Sequence, residues 1–113
     1  MTIQVMNIGL SQRTILYNKR VYDSLDQGWY KYLKKHVLIP IPNRADLPFE
    51  DIANTLDMFI ITGGDDSTLR RMVEIRLAKN MLLRNKPIIG ICHGCFLLTN
   101  MMGGEVGEIE GHS

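Results

Sequence analysis

Four short apolar runs with almost no polar alternation constrain this chain most: "IQVMNIG" at residues 3–9, "VLIPIP" at 37–42, "MFIIT" at 58–62 and "PIIGI" at 87–91. A strand with one face in water alternates apolar and polar residues, whereas a strand covered on both faces reads as a continuous apolar run. The intervening segments are long enough to return the chain as helices, which parallel strands require. The expectation is an α/β domain with a mostly parallel, doubly wound sheet in three layers, α/β/α, and ligands at the carboxyl ends of its strands.

The connecting segments read as helices. In "YDSLDQGWYKYLKKH", Leu25, Trp29, Tyr32 and Leu33 recur at helical spacing and leave Lys31, Lys34 and Lys35 for water. That spacing assigns the aromatic residues to core packing rather than to a binding platform. "FEDIANTL" reads as a short helix, and the prolines of "VLIPIP" mark that strand's end. A long helix is expected over residues 67–84, with Leu69, Met72, Val73, Leu77, Met81 and Leu82 at its apolar positions and Asp66 or Ser67 as its cap. "FLLTNMM" would begin a further helix.

A length of 113 residues with 45% hydrophobic and 22% charged side chains suits one globular domain. Thirteen basic residues against twelve acidic ones leave a formal charge of +1, with no basic stripe for a phosphate backbone, so nucleic acid is not an implied partner. No apolar segment reaches bilayer-spanning length, and "MTIQVMNIGL" lacks the charged start and long apolar stretch of a leader. The expected location is the cytoplasm, away from any membrane. Two cysteines three positions apart do not make a disulfide framework there, so burial or chemistry must account for them.

The chemistry concentrates in "PIIGICHGCFLL". Gly90 and Gly94 flank Cys92 at two residues on either side, at a strand-to-helix junction. In a Gly-x-nucleophile-x-Gly elbow the nucleophile takes a strained conformation above the sheet edge, and only small neighbours fit. The helix start also favours thiolate over thiol. Two other readings of the residues remain: a small buried hydrophobe, and half of a C-x-x-C redox pair with Cys95. The two glycines favour the elbow, and a thioredoxin-like sheet would find little room after Cys95. Zinc lacks a second cysteine pair, and His93 and His112 give no finger spacing, so neither a metal nor a cofactor is expected. Upstream, "IITGGDDST" puts Gly63 and Gly64 at the end of a buried strand, where a free backbone amide would face a developing oxyanion. The proposed hole pairs the N–H of Gly64 with that of His93. An ordinary glycine turn before a helix cap fits the same residues.

"KPIIGICHGCFLLTNMMGG" with "FIITGGDD" upstream resembles the class I glutamine amidotransferase family, and "YDSLDQGWYKYLKKHVLIPIPN" is similar to its γ-glutamyl hydrolase branch. The likeness runs over nearly the whole chain. It implies a flavodoxin-like sheet and a Cys92 that attacks the side-chain amide of glutamine or another γ-glutamyl amide, forming a thioester that water hydrolyses. It also implies no cofactor, a small-molecule substrate, and either a homo-oligomer or a synthase partner that takes the ammonia. Gly63, the Phe96 position, His112 and Ser113 would line the substrate pocket. Phe96 stands where the family usually carries a substrate-holding Gln, which favours a larger γ-glutamyl conjugate of a polyamine, aminobutyrate or nucleotide over glutamine itself. The family's catalytic His and its Glu are expected well downstream of the cysteine. The chain therefore reads as the N-terminal portion, 1–113, of one such domain, apparently truncated; the alternatives are a site completed by another chain and a noncatalytic binding remnant that lacks the dyad. "GICHG" also resembles the intracellular-protease and deglycase group, but "NIGLSQRT" lacks that group's acidic residue.

Overall fold

The computed structural model describes residues 4–64 and 67–91. In chain order these form β1 (Asn7–Ser11), β2 (Arg13–Tyr17), β3 (Arg20–Ser24), α1 (Gln27–Tyr32), β4 (Val37–Ile41), α2 (Phe49–Thr55), β5 (Met58–Ile61), α3 (Thr68–Leu83) and β6 (Ile88–Gly90). Strands β4, β1, β5 and β6 make one sheet in that order, and every pairing within it is parallel. This is the α/β, flavodoxin-like arrangement expected from the unalternated apolar runs.

Strand alternation explains how one sheet serves two cores. Phe59 and Ile61 of β5 face a cluster with Ile41, Ala53, Leu56, Val73, Leu77 and Met81, contributed largely by α2 and α3. Ile60, between them, points the other way and joins Ile8 and Leu10, against which Trp29 and Leu33 pack. Gly9 is required by a close approach. A Cβ at that position would lie 2.5 Å from Leu56 Cδ1, so the α2 side leaves no room for a side chain in the middle of β1.

On α3 the buried residues are Arg70, Val73, Glu74, Leu77, Ala78 and Met81, a stripe at helical spacing. Ser67 caps it, its side chain accepting from the Arg70 N–H at 3.2 Å. Leu69 and Leu82, expected on the apolar face, stand beside this stripe and are 40% and 42% exposed. A helical step of 100° carries each off the contact line that Arg70 and Met81 occupy.

Four further expectations are corrected. The helix proposed for residues 22–36 is only Gln27–Tyr32, because residues 13–24 pair as an antiparallel hairpin with Arg13 opposite Ser24. Tyr32 is 82% exposed rather than packed in the core. Pro40 lies within β4 instead of ending it. That strand is the outer one, where a residue without an N–H leaves no ladder bond unmade. β1 also begins at Asn7, four residues later than its apolar run suggested. Asn18 and Lys19, both at positive φ, make the two-residue turn of the hairpin.

Candidate functional site

β1 is flanked by β4 on one side and β5 on the other, so the chain reverses its direction of winding there. Open α/β sheets bind ligands outside the carboxyl ends of strands at such a switch point. A cavity of about 220 Å³ occupies this place, lined by Arg13, Ser24, Leu25, Asp26, Trp29, Thr62, Gly63 and Gly64. Five of these eight residues come from the stretch following β1 and three from the end of β5.

The carboxyl ends of β1 and β5 are locked together beneath the cavity. The Thr62 N–H donates to Ser11 Oγ at 2.9 Å, and Thr62 Oγ1 donates to the Ser11 carbonyl at 2.8 Å. Arg70 reaches this lock from α3. Its Nη2 donates to the Thr62 carbonyl at 2.6 Å, to Thr62 Oγ1 at 3.0 Å and to the Gly63 carbonyl at 3.3 Å. Nε of the same side chain pairs with Glu74 Oε2 at 3.0 Å, and both side chains are fully buried. A guanidinium withdrawn from water is costly unless its donors are met, and here a carboxylate and main-chain oxygens meet them.

This clamp orients the glycine turn. A trans peptide points its N–H opposite to its C=O, so carbonyls held by Arg70 turn the N–H groups of Gly63 and Gly64 away from it. Neither N–H donates a hydrogen bond among the described residues. Gly64 has φ of +115°, a conformation that side chains rarely adopt, which explains glycine at this place in the turn. β6 lies next to β5 with Gly90 buried opposite Ile61, and the Ile91 N–H donates to the Ile61 carbonyl at 2.9 Å. The strand that leads in sequence to Cys92 therefore ends beside the strand that leads to Gly63 and Gly64.

Of the residues singled out from sequence, the structure brings Gly63, Gly64 and Gly90 to the carboxyl edge of adjoining strands. Cys92, His93, Gly94, Phe96, His112 and Ser113 lie outside the described residues, as does Asp66. Sequence reasoning missed Arg13, Ser24, Asp26 and the Arg70–Glu74 pair. The i,i+4 opposite charges of the pair are visible in the sequence, but their burial is not. Among the described residues no group of three His, Cys, Asp or Glu side chains is poised to hold a metal ion, and no helix is long and apolar enough to cross a membrane.

A sequence profile of the family described as Glutamine amidotransferase class-I matches residues 19–113. The chain belongs to that family. Among relatives of this amidotransferase-family chain, the gamma-glutamyl-CDP-amidate hydrolase of Campylobacter jejuni is 25% identical over 123 aligned positions, covering 95% of this chain and 60% of the relative. The pyridoxal 5'-phosphate synthase subunit PdxT of Haemophilus ducreyi is 37% identical over 54 residues, covering 46% of this chain and 29% of the relative. The amidotransferase-family chain thus spans less than two thirds of either relative's length. Family and relatives together point to glutamine amidotransferase or amide hydrolase chemistry in general terms.

Proposed function

We propose that this chain carries the nucleophile and part of the oxyanion hole for cysteine-dependent hydrolysis of a γ-glutamyl amide. Cys92 Sγ adds to the γ-carbonyl carbon, and the resulting oxyanion is met by the N–H groups of Gly64 and His93. The C–N bond then breaks and the departing nitrogen takes a proton, leaving a γ-glutamyl thioester. Water hydrolyses the thioester, releasing glutamate and restoring the thiol. Gly90 and Gly94 give the elbow its clearance, while Gly63, Phe96, His112 and Ser113 contribute to the substrate's surroundings. No cofactor takes part.

One observation carries the reading. The glycine turn at the switch point offers two main-chain donors without acceptors among the described residues, held from behind by Arg70, beside the strand that precedes the C-H-G sequence. The likeness over nearly the whole chain to a hydrolase of a γ-glutamyl amidate favours release of an amine over delivery of ammonia to a synthase. Phe96, where the family usually has Gln, points the same way. A synthase partner, as the other relative's name implies for that protein, remains the second arrangement, with the cytoplasm as the assigned location for either.

The test is amine release from γ-glutamyl p-nitroanilide by the gene product at full length, since proton transfer to the leaving group needs a base that the family resemblance assigns downstream of Cys92. Cys92→Ala should reduce turnover by at least ~10³-fold, as loss of a covalent nucleophile does. Equal turnover by the variant would overturn the assignment.

A further inference from the structure

The cavity at the switch point contains two ionisable side chains with different commitments. Asp26 Oδ1 accepts the Gly28 N–H at 2.7 Å and so caps α1. The Arg13 side chain has neither a hydrogen-bond nor an ion-pair partner among the described residues. Its stem crosses the glycine turn: a Cβ at Gly64 would lie 2.9 Å from Arg13 Cδ and 3.5 Å from Nη1. Arg13 is held there by its backbone, because it is the first residue of β2 and pairs with Ser24, which also lines the cavity. Leu25 and Trp29 line the same cavity.

A guanidinium presents five N–H donors in a planar fork that matches two oxygens of a carboxylate or phosphoryl group. With no acceptor among the described residues and a place in the cavity lining, it is available to a ligand. Its closeness to Gly64, the glycine whose N–H would meet the reacting carbonyl, limits the ligand's geometry. The anion must be attached within a few bonds of the scissile amide. A polyamine offers only ammonium groups and would be repelled from Arg13.

We propose that Arg13 is a specificity-determining residue that binds an anionic group on the leaving amine, phosphoryl or carboxylate, within a few bonds of the amide nitrogen. The proposal rests on the hydrolytic reading above. It makes γ-glutamyl conjugates of acidic amines the preferred substrates and leaves the Asp26 carboxylate to its cap.

The experiment compares kcat/KM of the full-length protein on four γ-glutamyl amides whose amines are phosphoethanolamine, γ-aminobutyrate, ethylamine and putrescine. The wild type should prefer the two acidic conjugates, and the order between them separates phosphoryl from carboxylate. Arg13→Gln should lose roughly 10- to 100-fold more on those two than on the ethylamide, the size expected for a charge-assisted hydrogen bond. Arg13→Glu should shift preference toward putrescine. A loss of equal size on all four conjugates would mean that Arg13 holds the α-carboxylate common to them, and would overturn the proposal. So would a wild-type preference for the putrescine conjugate. A binding titration of phosphoethanolamine alone keeps the test independent of turnover: weakening in Arg13→Gln supports the proposal, and equal or undetectable binding in both proteins overturns it. Failure of the hydrolytic reading is read separately, from Cys92→Ala retaining turnover.

Discussion

Two arginine–carboxylate pairs in this chain show how burial changes what a charge contributes. Arg44 and Asp46 lie fully in solvent, 2.8 Å apart. The hydrogen bond from Arg44 and then its charge lower the Asp46 carboxyl below its ordinary range, yet water screens that attraction. Arg70 and Glu74 are fully buried and have no such screening. Glu74→Ala should therefore destabilise the fold by about 3–5 kcal/mol, because it removes the carboxylate partner of a buried guanidinium. The paired change Arg70→Met with Glu74→Leu should recover much of that loss, read from denaturant midpoints at constant slope. It should not recover activity, because no donor would then hold the Thr62 and Gly63 carbonyls. A double variant as destabilised as Glu74→Ala would show that packing rather than charge governs the site. The importance of Arg70 was hidden in the sequence, where a charged residue on an amphipathic helix is ordinarily assigned to water.

At the level of elements, the hairpin is the part of the fold that sequence reading missed. Its strands carry apolar residues on both faces, among them the exposed Leu16, Tyr17 and Val21, so the period of two that marks a half-buried strand is blurred. Its turn is Asn-Lys rather than Asn-Gly, which weakens the local signal. Lys19 nevertheless sits at φ of +64°, a conformation that costs a side-chain-bearing residue about 1 kcal/mol. Lys19→Gly should stabilise the hairpin by a few tenths to about 1 kcal/mol, visible as slower amide exchange at Tyr17 and Arg20. Faster exchange there would contradict the turn assignment. Strand β5 was legible for the opposite reason: its burial leaves a run of Met, Phe and Ile that no polar residue interrupts. Helix α3 was legible from its period, although Leu69 and Leu82 show that apolar character alone does not locate the buried stripe within a turn of helix. The glycine turn was recognisable from two adjacent glycines after a buried run; the residue that clamps it, eight positions beyond Thr62, was not.

Across the whole molecule, two cores on opposite faces of one sheet fix the strands, and the strand ends present the chemistry. The glycine turn is anchored to β1 and α3, which belong to these cores. The far wall of the cavity is built differently. It comes from the base of the hairpin, which Asp23 ties to the rim of the sheet by accepting from the Asn43 N–H at 3.1 Å and from Asn43 Nδ2 at 2.9 Å. Residues 13–24 thus form a detachable cassette inserted between the first strand and first helix, bearing on the shape of the mouth but adding nothing to either core. Exchanging it for the corresponding loop of a γ-glutamyl amide hydrolase should, on the proposed function, transplant that enzyme's choice of leaving group while keeping the recipient's melting temperature within a few degrees. A chimera that melts far lower, or keeps the parent's selectivity, would show that tailoring resides elsewhere. The separation lets a single reaction platform be re-addressed to new conjugates by rewriting one ribbon.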